Sequence, residues 1–142
     1  MKQEKSCGAV LFRGNNTERN YLILTSTLGH TTLCKGHVEG DETEHETAIR
    51  EIREETGLTV DFIDGFREVI SYDPFPGIRK DVVFFLAELS GGTPACQPEE
   101  VADIRFLPFE AASEALTHAS DRDVLAKADA FLRKIDHAHP TV

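Results

Sequence analysis

The chain has 142 residues, of which 40% are hydrophobic, so we expect a single globular domain over residues 1–142. Its net charge of -10 disfavours binding to duplex nucleic acid, which needs cationic side chains to displace counterions. No apolar run approaches the roughly 20 residues that span a bilayer, and residues 1–6 lack a signal-peptide apolar segment, so no membrane partner is expected. The odd cysteine count (Cys7, Cys34 and Cys96) offers no metal-type pair and favours packing roles in a reducing cytoplasm.

The first forty residues predict a β-hairpin followed by a loop. Residues 6–13 and 21–26 are apolar runs separated by a turn-rich stretch, which is typical of two paired strands. Residues 28–41 contain three glycines and no sustained period, so they predict a loop with a short strand at 31–34.

A helix is predicted over residues 44–56. Thr43 and Glu46 have the spacing of a capping box, in which each side chain bonds the backbone amide of the other. Gly57 follows at the position where a left-handed residue commonly ends a helix.

The second half of the chain predicts further strands and then helices. Residues 58–72 are rich in β-branched and aromatic side chains, with an interruption at Gly65, and residues 81–89 give the strongest strand signal. Loops are expected at 74–77 and 91–98, a short strand at 103–107, and one or two helices within 110–135.

The predicted helix carries an acidic stripe. On a helical wheel Glu51, Glu54 and Glu55 lie together, with Glu44 close by, while Ala48, Ile49 and Ile52 form a neighbouring apolar face. Like charges at this spacing repel by a few tenths of a kcal/mol per pair, so a cation is expected on this face. The wheel directs both helix arginines elsewhere.

Two interpretations of the stripe differ in function. A solvated surface helix balanced by Arg50 and Arg53 is the ordinary explanation, but it gives no reason for the glycine-bearing loop before the helix. Clustered carboxylates without a Cys or His pair suit Mg²⁺ or Mn²⁺ rather than zinc, and no Asp-rich EF-hand loop is present for calcium.

Residues 36–58 resemble the complete Nudix box: Gly36, then Glu42, then the run REIREETGL at 50–58. The flanking pattern of strands and helices is similar to that family as well. The resemblance implies an α/β fold of the Nudix type, an α/β/α sandwich around a mixed β-sheet, and an enzyme that hydrolyses phosphoanhydride bonds in nucleotides.

The resemblance also implies a set of site residues. Glu51, Glu54 and Glu55 would bind Mg²⁺ or Mn²⁺ together with the backbone carbonyl of Lys35, and Arg50 would orient these carboxylates. A further metal ligand or general base is expected from the loop before residues 104–107. Its candidates are Glu99, Glu100 and Asp103, of which Glu100 is preferred.

Several residues resemble one branch of the family, the asymmetrical diadenosine tetraphosphate hydrolases. They are the segment KGHVE at 35–39, Cys7 with Gly8, Tyr72 and Lys80. The resemblance implies that Lys35, His37 and Lys80 bind the phosphate chain and that Tyr72 stacks on a base. Cys34 and the pair Gly40-Asp41 depart from the prolines usual in this branch.

The leading hypothesis is therefore magnesium-dependent hydrolysis of diadenosine tetraphosphate to ATP and AMP. The alternatives are a pyrophosphohydrolase for an RNA 5′ end, a nucleoside triphosphate or a nucleotide sugar, a non-catalytic nucleotide sensor, and a structural acidic domain. His118, His137 and His139 lie among polar residues and predict exposed side chains rather than a second metal site. The sequence leaves the cellular substrate, the number of metal ions, the general base and the oligomeric state open.

Overall fold

A computed structural model describes residues 2–95 and 101–138, with side chains as far as residue 136. In chain order the elements are β1 (Lys2–Arg13), a 3₁₀ turn (Asn16–Glu18), β2 (Asn20–Ser26), β3 (Thr31–Thr32), β4 (Cys34–His37), α1 (Glu44–Thr56), β5 (Leu58–Phe62), β6 (Glu68–Phe75), β7 (Ile78–Gly92), β8 (Val101–Leu107), α2 (Phe109–Ala115) and α3 (Ala119–Ala138).

The strands of the described residues form one mixed sheet around β1 and β7. These two strands run parallel, from the pair Lys2 and Ile78 to the pair Phe12 and Glu88. Strand β1 is antiparallel to β2 and β4, β7 is antiparallel to β5 and β6, and β2 also pairs with β3 and β8.

Helices cover both faces of the sheet. Alternate side chains of β7 point to opposite faces, as the strand period requires. Val82 and Phe84 pack in a core with residues of α2 and α3, whereas Val83 packs in a second core with Ala48 and Ile52 of α1. The predicted α/β/α sandwich around a mixed sheet is confirmed.

The ends of α1 follow from local chemistry. Thr43 Oγ1 accepts a hydrogen bond from the Glu46 amide at 3.1 Å, and Glu46 Oε1 accepts one from the Thr43 amide at 2.8 Å, which completes the capping box. Gly57 has φ 74° and donates its amide to the Arg53 carbonyl. The helix therefore has the predicted bounds.

The strands differ more from the prediction. The segment predicted as a short strand at 31–34 is two strands, because β3 pairs with β2 while β4 pairs with β1, and the chain crosses between them at Leu33. Pro74 lies in β6 rather than in a loop, and the turn to β7 is made at Gly77 with φ 82°. None of the described helices combines the length and apolarity needed to cross a bilayer.

Candidate functional site

Two glycines bring β1, β4 and α1 into close contact. Gly8 of β1 faces Lys35 of β4, and a Cβ at Gly8 would overlap the Cys34 carbonyl group. A Cβ at Gly36 would overlap the carboxyl group of Glu51. The absence of a side chain at position 36 therefore leaves the space that the Glu51 carboxyl group occupies beside the strand.

Arg50 lies among the carboxylates of α1. Its Nη1 donates to Glu51 Oε1 at 2.8 Å and to Glu54 Oε2 at 3.2 Å, while Nε and Nη2 bind the two oxygens of Glu42 at 2.7 and 3.0 Å. Nη2 also donates to the His37 carbonyl at 2.8 Å. The helical-wheel prediction that this arginine points elsewhere is wrong, because its long side chain bends back over the stripe.

The pair of Arg50 and Glu42 is charged over the whole neutral range. The guanidinium hydrogen bond holds the pKa of Glu42 at about 2, and the same bond raises the pKa of Arg50. Glu42 Oε1 further accepts from the Glu39 amide and from Thr47 Oγ1. The bidentate pair fixes the loop before α1 and, through it, the position of the acidic stripe.

Cys34 is the neighbour of Glu55. Its buried thiol donates to Glu55 Oε2 at 3.2 Å. Burial, followed by the charge of Glu55, raises the pKa of Cys34 well above its ordinary value, so the thiol is protonated and acts as a donor. The sequence predicted a packing role for Cys34 and a departure from proline at this position, but not its contact with Glu55.

A cavity of about 350 Å³, named here the carboxylate cavity, brings most of the predicted site together. Its lining residues are Ser6, Lys35, Gly36, His37, Glu39, Glu51, Glu54, Glu55 and Lys80. Its oxygen-rich donor set fits a hard divalent cation such as Mg²⁺ or Mn²⁺. In the described residues no three acidic, His or Cys side chains already converge on one point, since Arg50 and Cys34 engage the carboxylates.

Tyr72 lies in a neighbouring cavity of about 400 Å³, named here the Tyr72 cavity. Its lining residues are Thr32, Lys35, Ile70, Ser71, Tyr72, Val82, Phe84, His118, Ser120 and Asp121. Lys35 lines both cavities, and Tyr72 is paired in register with Lys80 on the adjacent strand. The sequence prediction did not include Thr32, which lies just before the box, or Ser120 and Asp121, which come from α3.

Two lysines face the site at close range. Burial and the positive charge of Lys35 lower the pKa of Lys80, although Glu4 opposes this shift. Partly buried like charges are unfavourable unless an anion lies between or beside them. The arrangement favours an anionic ligand at the junction of the two cavities.

Glu100, predicted as a further ligand or base, lies outside the described residues, as do Glu99, Cys96 and His139. Val101, the next residue, lines a cavity of about 210 Å³ together with Lys35 and Glu55. Asp103 is exposed on β8. The assignment of Glu100 stays a prediction.

The predicted packing and surface residues also have defined positions. Cys7 and Cys34 are buried free thiols. His118 is exposed as predicted and stacks on His30 with ring centroids 5.8 Å apart. The side chain of His137 lies beyond the described ones.

Comparisons with known proteins agree with this geometry. The chain matches the NUDIX domain over residues 2–128. It is 35% identical over 96 residues to the asymmetrical bis(5′-nucleosyl)-tetraphosphatase of Sus scrofa, an alignment that covers 60% of this chain and only 65% of the pig protein. The Caenorhabditis elegans protein of the same name is 29% identical over 133 residues, covering 90% of this chain and 96% of that one.

Another relative is named for a different activity. The 8-oxo-(d)GTP phosphatase of Mycolicibacterium smegmatis is 36% identical over 96 residues, covering 68% of this chain and 29% of that protein. Among solved structures, a C. elegans Ap4A hydrolase binary complex has a TM-score of 0.82 at 28% identity and covers 92% of this chain and 98% of that one. Because the match to the NUDIX domain extends over residues 2–128 of this protein, the chain belongs to the Nudix hydrolase family.

Proposed function

We propose that this protein hydrolyses a dinucleoside tetraphosphate, diadenosine tetraphosphate to ATP and AMP, with Mg²⁺ as cofactor and Mn²⁺ as a possible substitute. The observation that supports this proposal is the position of Lys35, which lines both the carboxylate cavity and the Tyr72 cavity. A ligand with a base in one cavity and a long phosphate chain in the other fits this layout.

The carboxylate cavity supplies the hydrolytic half of the proposal. Glu51, Glu54 and Glu55 would hold the cation, which when bound neutralises phosphate oxygens and lowers the pKa of a coordinated water. Arg50 holds Glu51 and Glu54 through hydrogen bonds of 2.8 and 3.2 Å. Because Arg50 and Cys34 engage these carboxylates, their side chains would have to turn towards the cation when it binds.

The lysines supply the binding half. Lys35, His37 and Lys80 line the carboxylate cavity and carry donors for phosphate oxygens. A phosphate chain at this point would relieve the unfavourable proximity of the two lysines. The ring of Tyr72, 44% exposed at the second cavity, offers a stacking surface for one base.

Nucleoside triphosphate hydrolysis is the second candidate, since one of the relatives is named an 8-oxo-(d)GTP phosphatase. A triphosphate also fits the two cavities. A triphosphate has fewer phosphate oxygens to meet the two lysines than a chain of four phosphates, which is why the four-phosphate substrate is preferred.

The free thiols of Cys7 and Cys34 support a proposed location in the reducing cytoplasm.

A substrate panel with product identification tests the proposal. The purified protein is incubated with Mg²⁺ and one of diadenosine tri-, tetra- or pentaphosphate, nucleoside triphosphates, triphosphorylated RNA or a nucleotide sugar, and kcat/KM is ranked. We expect diadenosine tetraphosphate to rank first and to give ATP and AMP, with heavy oxygen from water in only one of the two products. Formation of two ADP, or a higher kcat/KM for nucleoside triphosphates, would contradict the substrate assignment.

A further inference from the structure

Asp121 is a buried carboxylate with one unused oxygen. It lies in the first turn of α3 and is 4% exposed. The Leu33 backbone donates a hydrogen bond to the carboxylate, whereas Oδ2 has no hydrogen-bond partner among the described residues. Because Oδ2 is the atom left over, the Leu33 bond falls on Oδ1. A buried acceptor of this kind is destabilising until a donor reaches it.

The unused oxygen belongs to a residue that lines the Tyr72 cavity. Ile70, Val82 and Phe84 give this cavity apolar walls, and Tyr72 adds an aromatic ring. Among the described lining residues, Asp121 has the only carboxylate. Apolar and aromatic walls beside a buried carboxylate suit a planar heteroaromatic group that carries an N–H donor.

We infer that Asp121 is a specificity-determining residue that accepts a hydrogen bond from the exocyclic amino group of a nucleobase, and that adenine is the base it selects. Adenine presents one amino group, which one free oxygen can bind. Guanine presents its N1–H and its amino group side by side, a pattern that suits both oxygens of a carboxylate, and the Leu33 bond already uses one of them. The inference rests on the proposed function, since it requires a nucleotide base in this cavity.

A purely structural role for Asp121 makes different predictions. An acidic side chain in the first turn of a helix interacts favourably with the helix dipole, and the Leu33 bond ties α3 to the segment between β3 and β4. Either effect would change stability without distinguishing one base from another. Base discrimination is therefore the measurement that separates the two roles.

Asp121→Asn is the sharpest variant. The amide keeps an oxygen for the Leu33 bond and places an NH₂ donor where Oδ2 was, so it should prefer a keto group over an amino group. Hypoxanthine differs from adenine in having that keto group at position 6 and a hydrogen on N1. Asp123→Asn is the matched control, because Asp123 is exposed on the same helix and its substitution removes the same charge.

Binding of AMP and of IMP is measured by calorimetry at neutral pH, without turnover, for the wild type and both variants. The wild type should bind AMP roughly ten- to a hundredfold more tightly than IMP, because in IMP a keto oxygen takes the place of the amino donor and would repel Oδ2. Asp121→Asn should bring this ratio below one, and Asp123→Asn should leave it unchanged. The turnover of diadenosine and diinosine tetraphosphate is measured alongside.

The outcomes of these measurements distinguish a failure of the role inferred for Asp121 from a failure of the proposed function. Equal binding of AMP and IMP by the wild type, an unchanged ratio in Asp121→Asn, or no binding of either nucleotide at millimolar concentration would overturn the role of Asp121, even if diadenosine tetraphosphate is hydrolysed. A strong preference for AMP that reverses in Asp121→Asn supports the role, even if tetraphosphates are not hydrolysed and the proposed function fails.

Discussion

The carboxylate cavity and the Tyr72 cavity meet at Lys35 but are built in different ways. The first takes most of its lining from one continuous stretch, residues 35–55, in which β4 and α1 are neighbours in the chain. The second gathers residues from four separate segments, around residues 32–35, 70–72, 82–84 and 118–121. Residues proposed for chemistry are thus encoded locally, whereas residues proposed for recognition depend on how distant strands and helices come together.

The two cavities also differ in how their polar groups are paired. In the carboxylate cavity, Glu54 bonds Arg50 and Glu55 accepts from Cys34. In the Tyr72 cavity, Asp121 keeps a buried oxygen without a partner among the described residues. Changes to the acidic side chains of the first cavity should lower kcat, while changes to the phosphate-binding lysines and to the second cavity should alter KM or base preference.

The largest expected effect comes from neutralising the acidic stripe. Glu54→Gln and Glu55→Gln should each lower kcat by about two to three orders of magnitude, because each removes a charge proposed to hold the cation while preserving side-chain shape. Steady-state kinetics across a range of Mg²⁺ concentrations measures this. Glu114→Gln, at an exposed position of α2, is the control. Near-wild-type turnover by both site variants would remove the metal role from the stripe.

A single methyl group on β4 should have the next largest effect. In Gly36→Ala the new Cβ would overlap the Glu51 carboxyl group, so this carboxylate must leave its position beside the strand. Displacement by about 1 Å can cost roughly a hundredfold in rate. The kcat/KM of the variant and its melting temperature are compared with those of Gly91→Ala, where a Cβ would meet only Thr59 Oγ1, at 3.2 Å. Unchanged kinetics in Gly36→Ala would show that this close contact does not position Glu51.

The recognition side should respond more weakly. Tyr72→Ala should lose base stacking worth about 1 to 3 kcal/mol, and Lys80→Ala should weaken phosphate binding, both mainly by raising KM. Tyr72→Ala should lower the free energy of unfolding only slightly, because Tyr72 is 44% exposed. Phe75→Ala is a matched control for the aromatic ring, because Phe75 lies on the same strand, is 66% exposed and does not line the cavity. If Phe75→Ala raises KM as much as Tyr72→Ala, stacking at Tyr72 is not specific.

The success of sequence prediction follows the same division between local and distant contacts. The bounds of α1 were predictable because Thr43, Glu46 and Gly57 act on their own turn of backbone. The path of Arg50 was not, since a helical wheel fixes the direction of Cβ but not the bend of a long side chain.

Contacts between distant segments explain the remaining differences. The extra length of β1 and β7 arises because the two strands support each other along their whole pairing, which local composition does not report. Asp121 gave no signal in the sequence because its significance depends on the cavity that β6 and β7 complete. A charged residue in the first turn of a helix has an ordinary structural explanation until that cavity is known.

Substitution of Glu44 should have the smallest effect on the reaction. It tests whether every acidic residue of α1 belongs to the proposed site. The helical wheel places Glu44 near the stripe, yet its carboxylate bonds Arg67 at 2.8 and 2.9 Å and forms an ion pair with Lys5, and it does not line the carboxylate cavity. The Arg67 hydrogen bonds, with help from Lys5, lower the pKa of Glu44 to about 2. This acid should stabilise the fold without affecting the reaction.

Glu44→Gln should lower the free energy of unfolding at neutral pH by on the order of 1 kcal/mol, a figure limited by solvent screening of the two cations. A folded-state pKa below the unfolded one contributes stability above the unfolded pKa, and this contribution is lost as the pH falls through the folded pKa. The difference between wild type and variant should therefore shrink as the pH falls from about 4.3 towards 2. Urea denaturation from pH 7 to pH 2 measures it, and kcat/KM at neutral pH should stay within about twofold of wild type, a spread of only a few tenths of a kcal/mol. A large loss of kcat/KM would place Glu44 with the carboxylates proposed to bind the cation. A stability difference that does not depend on pH would show that its ion pairs with Arg67 and Lys5 are not what stabilises the fold.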